Sequence, residues 1–321
     1  MRKWSARGLG LAAVVIAWAL SPGTKAATTL AVGKADANAS HILPVNVGKS
    51  LGIFARHGLD VTISDFTGGS KLVQAMAAGS IDIGVAAGPL MALAAKGAPI
   101  EAVCNDAPPI LFIGIAVPWE SPIRSVDQLK GRNIGISSAG SLTDWLAQEL
   151  AHQRGWGPQG ITPIAIGNSA AGDIAAFRTH TIDAVISVTS NIFAWEEEKQ
   201  ARLLLPVSKY VGNVAAGAIF ATKTLIARDP DAIRVFLAAW LETVDYMRAH
   251  KEETVKIESG VTGYTPTSMS KEYDQTIGMF SRDCKFDAES LANLKRSFVE
   301  LKLVETPPDM STLYTEAFAP K

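Results

Sequence analysis

Short apolar runs alternate with amphipathic stretches over residues 28–117. The runs are rich in Val, Ile and Ala and are bounded by Gly, Asp or Ser, which is typical of buried strands. The predicted strands are Thr28–Gly33, Leu59–Ser64, Ile81–Ala86, Ile100–Asn105 and a further apolar run, Ile110–Val117. The segments between them predict helices within Ile42–Phe54, Lys71–Ala78 and Leu90–Lys96. This alternation predicts an α/β fold with a mostly parallel sheet that helices cover on both faces.

A polar, proline-containing segment, Trp119–Lys130, interrupts the alternation, which then starts again. Three more strands are predicted, each followed by a helix: Arg132–Ile136 and Leu142–Arg154, Thr162–Ile166 and Ala170–Phe177, Ile182–Ser187 and Ser190–Gln200. After a last strand, Ala215–Ala221, the pattern is mainly helical, over Pro230–Ala249, Glu252–Ser259, Ser268–Phe280 and Glu289–Leu301. Two alternating blocks predict two lobes.

A weak internal repeat also indicates two lobes. Residues 74–85 (QAMAAGSIDIGV) are similar to residues 175–186 (AAFRTHTIDAVI), each being a helix end, a turn and a buried strand. The second copy has His180 where the first has Gly79, and His adopts a left-handed conformation less readily than Gly. Generic α/β similarity is the alternative. Asp82 and Asp183 stand at matching strand starts, where hydrogen bonding to a turn is the expected role.

The amino-terminal segment has the features of an export signal. Arg2, Lys3 and Arg7 precede an apolar stretch, Leu9–Leu20, which is shorter than the roughly 20 apolar residues that a membrane span requires. Small residues follow, ending at Ala26. We therefore expect residues 1–26 to be a secretory signal peptide, cleaved near Ala26, so that the mature protein is exported.

Composition and charge exclude several classes of protein. Hydrophobic residues make up 48% of the 321 residues and charged residues 19%, enough apolar material for a sizeable core. The formal charge is −1 and no block of Lys or Arg occurs, which argues against nucleic-acid binding. The two cysteines, Cys104 and Cys284, cannot form a four-Cys zinc site. They could pair in an oxidising compartment, or each could be a small buried hydrophobe.

The candidate binding residues lie in turns between strands and helices. Ligands of open α/β sheets sit outside the carboxyl ends of the strands, where the start of a helix offers N–H donors to an anion. The turns with small or hydroxyl residues are Phe66–Ser70, Ala86–Pro89, Ser137–Ser141 and Ser187–Asn191, and the first turn of the chain adds Asp36, Asn38 and His41. Helix capping is the alternative for each turn, as in the Ser141-x-x-Asp144 spacing.

Motifs of known enzyme classes are missing from the sequence. The five histidines show no H-x-x-x-H or H-E-x-x-H spacing, and there is no G-x-S-x-G. Thr67–Lys71 lacks the spacing of a phosphate-binding loop. We therefore expect no catalytic residue, no metal and no cofactor.

Four segments resemble a family of solute-binding proteins of ABC transporters, the nitrate/sulfonate/taurine and NMT1/THI5-like group. Leu51–Val61 (LGIFARHGLDV) is similar to its G-x-F-x-x-x-G-L-x-V segment, and Ala77–Val85 (AAGSIDIGV) to its A-x-G-x-x-D-x-G step. Asp127–Ile136 (DQLKGRNIGI) resembles the D-L-K-G-K-x-I-G-V segment at the start of the second lobe. Asp229–Trp240 (DPDAIRVFLAAW) resembles a helix that follows the return to the first lobe.

This resemblance implies a type II periplasmic binding-protein fold with two doubly wound lobes. The first lobe would comprise residues 27–117 and 217–321, the second residues 118–216, and two hinge crossings would lie near Val117-Pro118 and Ala215–Gly217. The protein would act as a monomer that delivers a small solute to a membrane permease. The family's pocket would map onto Asn38, Thr67, Gly68, Gly88, Ser138, Ser141 and Thr189.

The resemblance leaves the solute open. Sulfonates, nitrate, thiamine precursors and aromatic acids all fit the family, and Asp36 would suit the amine of a zwitterion. The candidate turns contain no Arg or Lys except Lys71, which lies on the helix after Phe66–Ser70, so an anion would depend on helix starts and hydroxyls. The cysteine-rich motif and catalytic histidine of thiamine-pyrimidine synthases are not visible. An exported enzyme or a ligand-sensing module on the same fold is the alternative function.

Overall fold

The computed structural model describes residue 1 and residues 27–157, 159–167 and 169–320, so residues 2–26 of the predicted signal lie outside the described part. The described residues form ten strands, in chain order β1 (Thr28–Lys34), β2 (Leu59–Asp65), β3 (Ile83–Ala87), β4 (Ile100–Ala107), β5 (Ile113–Pro118), β6 (Asn133–Ile136), β7 (Thr162–Ala165), β8 (Ala184–Val188), β9 (Ala201–Pro206) and β10 (Gly217–Thr222).

Twelve α-helices cover these strands within the same described residues. They are α1 (Pro44–Ser50), α2 (Ile53–Arg56), α3 (Gly69–Ala77), α4 (Met91–Ala95), α5 (Leu142–Gln153), α6 (Ala170–Arg178), α7 (Thr189–Glu197), α8 (Lys223–Arg228), α9 (Pro230–Ala249), α10 (Lys251–Thr262), α11 (Pro266–Thr276) and α12 (Ala288–Glu300). The long helix α9 begins at Pro230, where a missing N–H costs nothing, and Asp229 caps it by accepting from the Ala232 amide at 3.0 Å.

The strands form two five-stranded mixed sheets. The first has the order β2-β1-β3-β10-β4 and the second the order β7-β6-β8-β5-β9. In each sheet one strand is antiparallel to both neighbours: β10 in the first and β5 in the second. These two strands follow the segments in which the chain crosses between sheets, residues 108–112 and 207–216. Both crossings therefore leave from the edge at which the parallel strands end.

The position of the first crossing corrects the predicted lobe boundary. The prediction keeps residues 113–117 in the first lobe, whereas β5 pairs with β8 and β9 of the second sheet. The chain leaves the first sheet after Ala107, where Pro108 and Pro109 cannot donate ladder hydrogen bonds. The apolar run Ile110–Val117 hides this break because strand and crossing are equally apolar. The strand β9 has no counterpart among the predicted strands.

The core is continuous across the first sheet and its helices. Leu30 and Val32 of β1 are fully buried, and Phe54 stacks on Phe236 of α9 with ring centroids 5.2 Å apart. A second cluster, with Ile174 and Trp195, packs beneath the second sheet. None of the described helices combines the length and apolar surface that a bilayer crossing requires.

Cys104 and Cys284 form a disulfide, which resolves the two alternatives for these residues in favour of pairing. The bond joins β4 to the segment before α12, across 180 positions of sequence. Both cysteines are fully buried. The carboxyl-terminal helices are thereby tied covalently to the first sheet.

Candidate functional site

A cavity of about 290 Å³ lies between the two sheets, where the parallel strands end and both crossings begin. Its lining comes from turns of the first sheet, turns of the second sheet and the carboxyl-terminal region. From the first sheet come Ala35, Thr67, Gly68, Ser70 and Leu90, from the second Ser137, Ser138, Ser141 and Val188, and from the carboxyl-terminal region Leu303. A ligand held there would contact both sheets at once.

The turn between β2 and α3 forms one polar wall of the cavity. Gly68 precedes the helix with φ of +112°, a conformation that only Gly adopts readily, and no side chain caps the first amides of α3. A Cβ on Gly69 would lie 2.2 Å from Leu90, so the turn also needs a glycine for close approach. Thr67 accepts a hydrogen bond from Lys71 Nζ at 2.9 Å. Among the described residues, no side chain accepts from the first backbone N–H groups of α3.

The turn between β6 and α5 forms the second polar wall. Ser141 caps α5 by accepting from the Asp144 amide at 3.3 Å, and Asp144 accepts from the Gly140 amide at 2.8 Å. The Thr143 hydroxyl accepts from the Ser137 amide at 2.9 Å. The capping role expected from the sequence is therefore present for Ser141. Ser138 lines the cavity beside this cap.

Apolar and aromatic side chains form the remaining surface. Phe112, the last residue of the first crossing, lines the cavity and packs against the His41 ring with centroids 4.3 Å apart. Ile42, Leu93 and Leu303 add aliphatic surface. The cavity thus combines two polar turns with a side that suits a carbon skeleton.

His41 contacts a buried carboxylate, that of Asp106. Its Nδ1 lies 3.2 Å from Asp106 Oδ2, and both residues are at most 2% exposed. Burial raises the pKa of Asp106 above its ordinary value of 3.8, while the hydrogen bond to His41 acts in the opposite direction. A Cβ on Gly217 would come within 2.8 Å of His41 Nδ1 and 2.7 Å of Asp106 Oδ1. The start of β10 therefore accommodates the pair only with glycine.

Charged groups are sparse around the cavity. Apart from His41, the described lining residues with titratable side chains are Asp36 and Lys96. Asp36 accepts from the amides of Asn38 at 2.7 Å and Ala39 at 3.1 Å. The negative charge of Asp36 adds to burial in raising the pKa of Asp173 to about 7. Among the described residues no three His, Cys, Asp or Glu side chains are grouped as a metal site.

Four of the seven predicted binding residues line this cavity: Thr67, Gly68, Ser138 and Ser141. Their contact with a ligand stays a prediction. Gly88, Thr189 and Asn38 do not line it.

The three residues outside the lining make contacts within the protein. A Cβ on Gly88 would lie 1.8 Å from the Ala215 carbonyl oxygen, so Gly88 lets the second crossing pass closely. The Thr189 hydroxyl donates to Glu272 at 3.0 Å. Asn38 Nδ2 donates to the Tyr264 hydroxyl at 3.1 Å, and that hydroxyl donates to Asn191 at 2.7 Å. These bonds connect turns of both sheets to the carboxyl-terminal helices.

Sequence reasoning misses Phe112 and Leu303 as lining residues. Phe112 falls inside an apolar run that reads as strand, although the prolines before it mark the crossing. Leu303 follows α12 and reaches the cavity at Gly140, where a Cβ would lie 2.7 Å from its side chain. No local pattern marks Leu303, because its position depends on how α12 packs against α5, with Trp145 Nε1 donating to Glu300 at 2.9 Å.

The sequence matches a known family over most of its length. The family described as NMT1/THI5 like matches residues 38–254. The chain belongs to this family. A protein of Brucella abortus strain 2308, named as a binding protein, is 26% identical over 214 residues, which are 66% of this chain and 65% of that protein. This chain thus spans about two thirds of the length of that relative.

A second relative bears the name of an enzyme. The 4-amino-5-hydroxymethyl-2-methylpyrimidine phosphate synthase THI11 of Saccharomyces cerevisiae is 25% identical over 297 residues, covering 86% of this chain and 83% of the synthase. The relatives of this chain therefore include a protein named as a binding protein and a protein named as a synthase.

Solved structures show the same fold. The alkanesulfonate-binding protein SsuA of Xanthomonas axonopodis, bound to MOPS, superposes with a TM-score of 0.78 at 19% identity, over 91% of this chain and 99% of SsuA. A Candida albicans protein described as having the generic periplasmic binding protein fold gives 0.72 at 14% identity, over 90% and 96% of the two chains. The predicted periplasmic binding-protein fold is confirmed.

Proposed function

We propose that this NMT1/THI5-like protein is a solute receptor of an ABC importer. It captures a small organic acid or zwitterion between its two sheets and presents it to a membrane permease. It is exported to the periplasm, loses its signal near Ala26 and works as a monomer.

The observation that carries this proposal is the shared lining of the cavity. Thr67 and Ser70 belong to the first sheet's turns, and Ser138 and Ser141 to the second's. A ligand that needs both walls binds the closed arrangement more tightly than an open one, and so shifts the population towards closure. The crossings at residues 108–112 and 207–216 would be the hinge, with residues 113–206 as the moving lobe.

The chemistry of the lining favours an acid group. The uncapped amides of α3, the partial positive charge of the helix start and the nearby hydroxyls suit sulfonate, carboxylate or nitrate oxygens. Phe112 and the aliphatic side chains suit an attached alkyl or aryl group. Asp36 suits an ammonium group, so a zwitterion would use both ends of the lining.

A thermal-shift panel tests the proposal. The purified protein, partly unfolded and refolded to release carried-over ligand, is heated with ethanesulfonate, benzenesulfonate, 2-aminoethanesulfonate, nitrate, benzoate or 4-amino-5-hydroxymethyl-2-methylpyrimidine. At a hundredfold excess over Kd a ligand adds about 2.7 kcal/mol, which raises Tm by about 4 °C for a chain of this size. Ser138→Ala should reduce the response, whereas Thr62→Ala, on the exposed side of β2, should not. A flat panel contradicts the proposal.

The alternative is an exported enzyme on the same fold, and the similarity to the yeast synthase favours it. The test is product analysis by mass spectrometry after incubation with each ligand that binds. A receptor returns its ligand unchanged, whereas an enzyme yields a new compound in proportion to time.

A further inference from the structure

The buried His41–Asp106 pair lies beside the cavity. His41 is 2% exposed and Asp106 1% exposed, the Phe112 ring packs against His41, and the Gly217 backbone passes close to both side chains. One ring nitrogen, Nδ1, faces Asp106. The ring's other polar atom is Nε2, and no described protein group hydrogen-bonds it.

Because the pair is buried, its net charge restricts how many protons His41 and Asp106 hold together. A carboxylate with a neutral imidazole would leave a net negative charge at a buried site, which is costly without compensating hydrogen bonds. Asp106 Oδ1 has no hydrogen-bond partner among the described residues, so little there compensates such a charge. Retention of one more proton makes the pair neutral overall. The pKa of Asp106, which burial raises, agrees with such retention.

Both neutral arrangements place a proton on Nε2. If the extra proton stays on the ring, the imidazolium has N–H groups at Nδ1 and Nε2. If it stays on Asp106, the carboxylic acid donates to Nδ1, and the neutral ring then carries its single proton at Nε2. In either case Nε2 carries a proton that it can donate. The Phe112 ring packs against the His41 ring and restricts the orientation of its plane.

We propose that the Nε2–H of His41, held in place by Asp106, donates to an acid oxygen of the ligand and that Phe112 packs against the carbon skeleton beside that group. The ligand in this proposal is an organic sulfonate or carboxylate, whose oxygens accept from Nε2–H, whereas a bare cation offers no acceptor. This inference deepens the proposed function and rests on it. His41 is thus a specificity-determining residue, and Asp106 is a positioning residue that acts through it.

The first test measures the proton directly and needs no ligand. Long-range ¹H–¹⁵N NMR spectra of the ¹⁵N-labelled protein at pH 7.5 distinguish a protonated from a bare ring nitrogen. The His41 signals are assigned by elimination, with Gln substituted in turn at His57, His152, His180 and His250. The expected result is a protonated Nε2. A neutral ring with a bare Nε2 and a proton on Nδ1 would overturn the inference, whether or not any solute binds.

The second test measures ligand affinity by calorimetry with benzenesulfonate and benzoate. His41→Phe keeps a ring against Phe112 and removes both nitrogens. Loss of a hydrogen bond to a charged group should weaken both ligands by about 10- to 100-fold. His152→Gln, at a side chain that is 73% exposed, should change Kd less than about twofold.

The outcomes separate the two claims. Unchanged affinity in a folded His41→Phe variant would overturn the role of His41 and leave the receptor function intact. Failure of the wild-type protein to bind either acid would overturn the ligand assignment. If the whole thermal-shift panel is also flat, the proposed function fails too. If the His41→Phe variant does not fold, the NMR measurement on the wild-type protein still tests the proposal.

Discussion

Stability should fall as pH rises through neutrality, because the interior holds carboxyl groups that resist ionisation. Glu258 of α10 is 4% exposed, and burial, followed by the charge of Glu272 on α11, raises its pKa from 4.5 to about 8. Burial also raises the pKa of Glu272 to about 7, against the effect of its hydrogen bond from Thr189. The two carboxyl groups face each other across the packed helices α10 and α11.

The direction of the change in stability follows from the number of protons that the folded protein and the unfolded chain each bind. Between pH 4.5 and about 8 the folded protein holds a proton on Glu258 that the unfolded chain has released, so the free energy of unfolding decreases as pH rises through this range. One pKa unit corresponds to about 1.4 kcal/mol. Between pH 5.5 and pH 8, the titration of Glu258 alone should therefore lower the free energy of unfolding by about 3 kcal/mol.

Glu258→Gln removes this titration while keeping the shape of the side chain. Urea unfolding at pH 5.5 and at pH 8 should show that the variant gains about 3 kcal/mol over the wild-type protein between the two pH values. Glu252→Gln, at an exposed position of the same helix, should leave the difference near zero. Parallel pH profiles for wild type and Glu258→Gln would contradict this prediction, because Glu258 would then have the same pKa in the folded and unfolded states.

Three further predictions concern stability. Gly88→Ala should lower the free energy of unfolding by about 2 kcal/mol or more, because its Cβ would lie 1.8 Å from the Ala215 carbonyl oxygen. Gly260→Ala, in a helix with open space around the new Cβ, should raise that free energy by up to about 1 kcal/mol. Equal effects of the two substitutions in urea unfolding would contradict this prediction. Replacing Cys104 and Cys284 by Ala should cost about 5 kcal/mol, because the bond closes a loop of 180 positions; an unchanged urea midpoint would argue against it. Ser141→Ala should cost about 1 kcal/mol through the lost cap of α5, and a loss below about 0.3 kcal/mol would argue against that cap.

Local patterns predict the strands and the internal repeat because they depend on neighbours in sequence. Gly79 and His180 both have positive φ, +77° and +55°, so the repeat has the same turn conformation in both lobes despite the histidine. Asp82 accepts from the Ala31 amide and Asp183 from the Asn133 amide, each at 3.0 Å. Both aspartates therefore hydrogen-bond the backbone, but the amides belong to the neighbouring strands β1 and β6 and not, as the sequence predicts, to a turn.

The site is harder to predict, because it depends on contacts between distant segments. Ser138 and Ser141 are found because a strand end and a helix cap are local features. Gly88 also follows a strand, yet it packs against the second crossing, whose path no local pattern reveals. Phe112 and Leu303 reach the cavity only through the change of sheet and the packing of α12. Turn residues can therefore be identified from sequence, but those that face a common cavity cannot.

We expect one acid solute to bind between the two sheets. Calorimetric titration of benzenesulfonate, or of whichever acid responds best in the panel, into the wild-type protein and into Ala139→Trp tests it most directly. Ala139 is an exposed residue of the lining, and Trp at this position would fill the cavity without disturbing the core. We expect one site per chain in the wild-type protein and loss of binding in the variant. Equal binding by both proteins would place the ligand outside this cavity and contradict the proposed site.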